Sequence, residues 1–305
     1  MGKRIKRYTL LRLWSCIGSA VLLCACTGQN TTQVQYQAAE HSAVVADLAQ
    51  GEGKDMQEQL ADSSLDSLAT EQEGQLTDET VARMDASFGG DVDTLSDAER
   101  RMIEAGLVEI VPNDSTISIH LVYATPNNFM GEAVYGDLQR AYLLPEVALM
   151  LERAAELLHR ERPDLRFIIY DAARPQSLPD PLQSFSVQQR MWNLVKGTSN
   201  YINVSNPARG GGLHNYGAAV DLTLGDHTGR PLPMGTPFDF FGPAAHIVRE
   251  EELLAKNLIT SQELENRRLL RRVMRQAGFI PLRSEWWHFN AMSRAEARER
   301  YRVLE

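Results

Sequence analysis

The sequence predicts an α+β fold: one compact single domain with a small central antiparallel sheet flanked by helices, preceded by a disordered tether. Three observations lead there. Runs rich in β-branched and aromatic residues are interspersed with runs of helical period, without a repeating strand–helix–strand rhythm or any internal repeat. The length of 305 residues leaves room for one sizeable domain with extensions, or for two small ones. The hydrophobic content of 43% is ordinary for a globular chain but unevenly spread, and the periodic apolar segments gather after about residue 95.

The N-terminal part reads as targeting and spacing. Lys3, Arg4, Lys6, Arg7 and Arg12 precede an apolar run from Leu13 to Ala25, a charged n-region and an h-region too short for a comfortable membrane span. The run ends in Leu23-Cys24-Ala25-Cys26, which resembles a bacterial lipobox. Residues 1–25 are therefore expected to be a lipoprotein signal peptide and Cys26 the lipidated residue. An ordinary signal peptide cut after Ala25, or an uncleaved anchor, is the plainer alternative. All three cysteines (Cys16, Cys24, Cys26) fall here, so the remaining chain has no disulfide framework and no thiolate ligand. Any metal must be held by histidine and carboxylate. Residues 26–94 are rich in Gln, Glu, Asp, Ser and Thr, a composition that favours disorder, and His41 within them reads as a solvated side chain. The net charge of −9 and the lack of a basic stripe argue against a nucleic-acid surface.

The folded domain is expected over 95–305. Ser96-Asp97-Ala98-Glu99 opens a helix with a capping-box pattern that Gly106 stops. Residues 107–111 and 117–122 read as strands, with His120 on a polar face, and 127–131 as a loop. The clearest helix runs from Pro145 to about Arg162, with Leu149, Leu157 and Leu158 as its apolar stripe and Arg162-Pro163 ending it. A buried strand, Arg166–Tyr170, delivers Asp171-Ala172-Ala173-Arg174-Pro175 at its end. Arg174 there is either a functional side chain projecting from a loop or a salt-bridge partner of Asp171; the loop placement predicts a role in turnover rather than in stability. Val187–Lys196 is amphipathic helix, 206–212 is glycine-rich coil, and 219–224 is a strand. Residues 225–241 form a Pro- and Gly-rich loop in which Asp239, flanked by aromatics, serves a turn or binds a cation. A helix from Ser261, its expected cap, to Ala277 stops at Gly278, and its five arginines read as a solvated face with ion pairs. The chain then turns into a strand carrying Glu285 and His288.

Two of these stretches hold the chemistry. His214 and Asp221 stand seven residues apart, and Asp221 lies inside an apolar run where an unpaired carboxylate would cost several kcal/mol on burial. Ser284-Glu285-Trp286-Trp287-His288-Phe289 supplies a second histidine and a carboxylate. Two imidazoles and one carboxylate suit a catalytic Zn²⁺ with a fourth position open, and Glu285 is left over as a base. Glu285 and His288 reach one centre only if the chain bends near Trp286-Trp287. The bland reading is that His and Asp are structural and the tryptophans core.

His214-x6-Asp221 followed by Glu285-Trp-Trp-His288 is similar to the VanX-type D-alanyl-D-alanine dipeptidases, within the broader zinc D,D-peptidase group. Asn128-Phe129-x-Gly131, Asp171-x-x-Arg174-Pro175, Met234-Gly235-x-x-Phe238-Asp239 and Glu265-Asn266-Arg267-Arg268 match that family in the same order, from about residue 107 to 289. The resemblance implies one zinc per chain on His214, Asp221 and His288, Glu285 as general base and acid, and Arg174 as the group that stabilises the oxyanion. It further implies that Asp239 receives the free amino group of a dipeptide. Two positions depart from the family: Gly212 where serine is common, and Ala173 where an aromatic is frequent; both are expected near the substrate. Combined with the export segment, the expected function is zinc-dependent hydrolysis of D-Ala-D-Ala or related D-amino-acid-containing di- or short peptides in the bacterial cell envelope. The enzyme would be lipid-anchored, face the periplasm or cell exterior, and meet small peptides or muropeptides. A stem-peptide carboxy- or endopeptidase and a catalytically silent peptidoglycan-binding lipoprotein are the alternatives.

Overall fold

Ser96 starts helix α1 (Asp97–Glu104): its hydroxyl accepts the Glu99 amide while the Glu99 carboxylate accepts the Ser96 amide. The helix ends before Gly106, whose φ of 87° lies in the left-handed region. The computed structural model describes residues 94–113, 115–176, 187–196 and 206–304. The signal segment, Cys26, His41 and the tether up to residue 93 lie outside the described residues. No helix among the described residues is long and apolar enough to cross a membrane.

The architecture is α+β. A two-stranded ribbon pairs β1 (Val108–Glu109) with β3 (Tyr142–Leu143). The main sheet has five strands in the order β2-β4-β5-β7-β6, built from β2 (Ile117–Ile119), β4 (Leu165–Asp171), β5 (Ala219–Asp226), β6 (Ile280–Pro281) and β7 (His288–Asn290). Three of its pairings are antiparallel, as expected; β2 and β4 run parallel. Helix α2 (Pro145–Glu161) lies between those two in the chain, so one strand–helix–strand crossover is present without a repeating series that could announce it. The two early strands are shorter than expected, and the chain leaves β2 for a tight helical turn at Val122–Ala124. His120 is exposed beside Tyr170, on a polar face.

Pro145 occupies the first turn of α2, and the buried side is Val147, Leu151, Ala154, Ala155 and Leu158. Leu149 and Leu157 are only partly buried, so the stripe follows the 147–151–154–158 row rather than the one read from the leucines. Helix α2 packs on β4 and on α5 (Ser261–Gln276), and α5 in turn packs on β5 and β6. The cap of α5 is Thr260, one residue earlier than expected: its hydroxyl accepts the Glu263 amide at 3.2 Å and its own amide reaches Glu263 at 2.7 Å. Helices α3 (Val187–Val195), α4 (Glu250–Ala255) and α6 (Arg294–Arg300) complete the set; α4 and α6 have no forerunner in the sequence pattern.

The arginines of α5 divide. Arg268 and Arg272 pair with Glu251 and Glu161, as a solvated ion-paired face should, whereas Arg271 pairs with the buried Glu250. Arg267 does not belong to that face: it is 1% exposed. Its Nε donates to the Met234 carbonyl at 2.6 Å and its Nη2 to the Ala244 carbonyl at 3.0 Å, and its guanidinium stands 5.9 Å from the Trp286 ring. Asn266 beside it donates to the Pro233 carbonyl at 2.8 Å. Burial lowers the Arg267 pKa to about 10, so it stays charged. These contacts hold both ends of the 233–245 loop that carries Asp239. Replacing Arg267 by Met strands two buried carbonyls, each worth roughly 1–3 kcal/mol. Denaturant unfolding of Arg267→Met should show a loss of about 3 kcal/mol with an unchanged m-value.

Candidate active site

The main sheet sets three side chains in one row. Asp171 on β4 is opposite Asp221 on β5, and Asp221 is opposite His288 on β7. Directly opposed residues project to the same side of a sheet. Asp171 joins the row only because the β4–β5 register slips between Ile169 and Asp171, leaving Tyr170 as the extra residue of a bulge. Without it, Asp171 would share the face of Phe167 and Ile169.

His214 comes from a tight helical turn, Leu213–Tyr216, closed by Gly217 at φ 69°. A Cβ on Gly217 would lie 2.8 Å from the Leu107 side chain, so this turn needs glycine at its exit. The His214 ring places Nδ1 2.7 Å from the Ala172 carbonyl, which makes Nδ1 the protonated nitrogen and leaves Nε2 bare. His288 is oriented the other way round. Its Nε2 lies 2.7 Å from Asn290 Oδ1, leaving Nδ1 bare. The two bare nitrogens are 3.1 Å apart and lie 3.2 and 2.9 Å from Asp221 Oδ1. Three buried acceptor atoms converge, and lone-pair repulsion among them is relieved by a cation or a shared proton. A tetrahedral ion with ligands at ~2.0–2.2 Å sets its donors ~3.3–3.6 Å apart. The group thus fits one metal ion after a slight opening. Without a cation, burial works against the charge of both partners, yet His214 and His288 hold the Asp221 carboxyl well below its usual range. Asp221 and Asp171 likewise raise the His214 pKa against burial.

Glu285 is not on a strand. The chain from β6 to β7 is a loop, with Trp286 and Trp287 in a turn, so the bend that the residue spacing demanded is present. The tryptophans are core, 4% and 1% exposed, stacked edge-on at 5.3 Å. Glu285 faces the same cleft as His214, Asp221 and His288, a cavity of about 460 Å³. Its carboxyl is pushed up to about 8, first by burial and then by Asp221 and Asp239, with His288 and Arg174 opposing.

Arg174 also lines the cleft. The two readings of it are both realised: its Nε donates to Asp171 Oδ2 at 3.0 Å, a second donor reaches the same oxygen, and the guanidinium still borders the cavity. Asp171 is fully buried and its other oxygen accepts from the Tyr135 hydroxyl and the Ala172 amide. Arg174 stacks 5.1 Å from the Tyr123 ring. Its backbone amide donates to the His214 carbonyl at 2.9 Å, which ties the two loops together. Asp239 has a left-handed φ of 59° in a turn, and its carboxylate accepts the Tyr123 hydroxyl at 2.8 Å. Burial and Asp221 drive its pKa up to about 8 against the pull of that hydrogen bond. Every candidate residue within the folded domain therefore meets in one cleft. Gly212 lines it too, but Ala173 is a core residue, 4% exposed, with its amide bonded to Tyr142; the expectation that it borders the substrate is corrected. Sequence reasoning missed Tyr123, Gln188 and Asn290, because lone polar residues in a loop, a helix and a strand carry no spacing signal.

This fold and site define a metal-dependent hydrolase: a two-histidine, one-carboxylate group with a further carboxyl and a guanidinium facing the same space. The family described as D-ala-D-ala dipeptidase matches residues 104–303, and the chain belongs to it; it is a metallopeptidase of a zinc-dependent family. The D-alanyl-D-alanine dipeptidase of Escherichia coli is 30% identical over 183 residues, 60% of this chain and 83% of that protein. Those of Enterococcus faecium and Streptomyces coelicolor are each 33% identical, over 176 and 180 residues, 55% of this chain and 82% of theirs.

Proposed function

We propose that the protein is a zinc-dependent dipeptidase that hydrolyses D-alanyl-D-alanine or related dipeptides and short peptides containing D-amino acids, in the bacterial cell envelope. The observation that carries the reading is the convergence of Glu285 and Arg174 on the cleft that holds the three metal-ligand candidates. A module that only bound peptidoglycan would have no use for that pair. The relatives named D-alanyl-D-alanine dipeptidases supply the substrate class. His214 Nε2, Asp221 and His288 Nδ1 hold the ion, which when bound supplies a Lewis acid that acidifies water and polarises a carbonyl. Glu285 takes the proton of the attacking water and passes it to the leaving amine, a role for which a carboxyl with a raised pKa is suited. Arg174, held in place by Asp171, offers planar donors to the oxygen that becomes negative. Asp239 receives the free amino end, and an ammonium beside it favours the charged carboxylate.

Purified protein supplied with zinc and offered dipeptides and muropeptides tests the reading. Turnover of D-Ala-D-Ala or related D-dipeptides is expected. Cleavage of cross-linked stem peptides alone would make it an endopeptidase, and no hydrolysis at all would leave a binding protein. The envelope location rests on the lipobox-like tetrapeptide ending at Cys26. Intact mass should show a lipid on the mature N-terminus, and Cys26→Ala should release the protein from the membrane fraction; unlipidated wild type would defeat this part.

A further inference from the structure

Asp171 fixes the guanidinium end of Arg174, but a long side chain is aimed only when its root is fixed as well. The turn that carries His214 holds that root through both backbone groups. The Arg174 amide donates to the His214 carbonyl at 2.9 Å, and the Arg174 carbonyl accepts Asn215 Nδ2 at 2.8 Å. Asn215 is fully buried, and the other end of its carboxamide closes the turn: Oδ1 accepts the Gly212 amide at 2.8 Å. The Asn215 carbonyl accepts the Leu304 amide at 2.8 Å, and the Leu304 carbonyl accepts the Gln176 amide at 2.8 Å, two residues beyond Arg174. The Arg174 loop, the His214 turn and the C-terminal tail are thus joined around one asparagine.

The chain makes room for this side chain. Gly211 has a φ of 63°, and a Cβ there would collide with Asn215 Oδ1. Gly212, Leu213 and His214 line the cleft, whereas the Asn215 carboxamide is spent on backbone groups, so its effect on turnover must pass through a neighbour. His214 does not depend on it: the ring is seated on the Ala172 carbonyl, and the turn keeps its own bonds from Gly217 to His214 and from Ala218 to Leu213. Arg174 does depend on it, because without Nδ2 its carbonyl loses the tie that sets the backbone from which the guanidinium extends.

We propose that Asn215 is a positioning residue, which fixes the root of Arg174 against the His214 turn and so holds the guanidinium in register with the metal-ligand group. This rests on the peptidase reading and deepens it.

The test measures kcat, KM and zinc content for wild type, Asn215→Ala and Asn215→Asp with D-Ala-D-Ala. Asn215→Asp keeps the acceptor for Gly212 and loses only the donor to Arg174, so it carries the comparison where Asn215→Ala fails to fold. Both variants should keep about one zinc per chain and lower kcat per bound zinc roughly tenfold, with KM changed by less than about twofold. Adding Asn215→Asp to Arg174→Ala should lower kcat further by less than about twofold, because the group it aims is gone. A merely structural role would lower the folded fraction and leave turnover per bound zinc intact. Wild-type kcat in Asn215→Asp, or the same loss on top of Arg174→Ala as in wild type, overturns the proposal. Calorimetric binding of a phosphinate isostere of D-Ala-D-Ala, whose tetrahedral oxygens stand in for the transition state, separates this from the peptidase reading. If wild type cleaves nothing, but Asn215→Asp weakens isostere binding about tenfold only where Arg174 is present, the positioning role stands and the peptidase reading falls. If wild type cleaves and neither kcat nor isostere binding depends on Asn215, the positioning role falls and the peptidase reading stands.

Discussion

Glu285→Ala should keep about one zinc per chain and lose hydrolysis by about 10³-fold, whereas His214→Ala should lose both metal and activity. The geometry separates the two residues. His214 Nε2 lies within 3.2 Å of Asp221 and 3.1 Å of His288 Nδ1, while Glu285 faces the cleft from a loop outside that cluster. Removing an imidazole leaves a carboxylate and one nitrogen, too few donors for tight binding. Removing Glu285 leaves the donor set whole and takes away the group that moves the proton. Zinc by elemental analysis, measured beside dipeptide turnover, decides the matter. Loss of zinc from Glu285→Ala would make Glu285 a ligand; wild-type turnover in that variant would end its role as base.

Arg174→Ala should lower kcat by roughly two to three orders of magnitude, the usual cost of an oxyanion donor, and here it should also destabilise the fold. On sequence grounds a loop arginine would affect turnover alone. The structure changes that expectation, because Asp171 is fully buried and Arg174 is its cationic partner. Removing one member of a buried pair costs about 3–5 kcal/mol. The Tyr135 hydroxyl and Ala172 amide still bond Asp171, which favours the lower end of that range. Arg174→Lys separates the effects: it keeps the charge beside Asp171 and loses the planar fork, so unfolding should recover much of the stability while turnover stays at least tenfold down. Turnover restored to wild type in Arg174→Lys would reduce Arg174 to a structural ion pair. Asp171→Asn should weaken turnover as well, since the guanidinium then loses the anion that aims it.

Much of the site was legible in the residues because its chemistry is local. The seven-residue step from His214 to Asp221 and the Glu285–His288 spacing name four of the six groups, and a carboxylate within an apolar run demands a cation wherever the run ends up. The helix starts at Ser96 and Pro145 and the stop at Gly278 follow from capping groups within a few residues. The seat of Arg267 was not legible. Its place, three residues from both Leu264 and Leu270, is on the apolar side of α5, but an arginine there reads as a solvated side chain until the return of residues 233–245 over the helix supplies the carbonyls that make it a buried clamp.

The sequence by itself determined which atoms are available: two histidines, a buried carboxylate, a spare glutamate, an arginine after a strand, and no cysteine after Cys26 to compete with them. The tertiary structure alone decided which atoms face one another. The single bulged residue Tyr170 moves Asp171 from the Phe167 and Ile169 face onto the row of Asp221 and His288, and with it sets the aim of Arg174. The Ala172 carbonyl and the Asn290 side chain choose which nitrogen of each imidazole is bare. The β4–β5 register and the His214 tautomer depend on partners tens of residues away in the chain, about which a period of two or 3.6 residues contains no information, whereas Asn290 stands only two residues from His288.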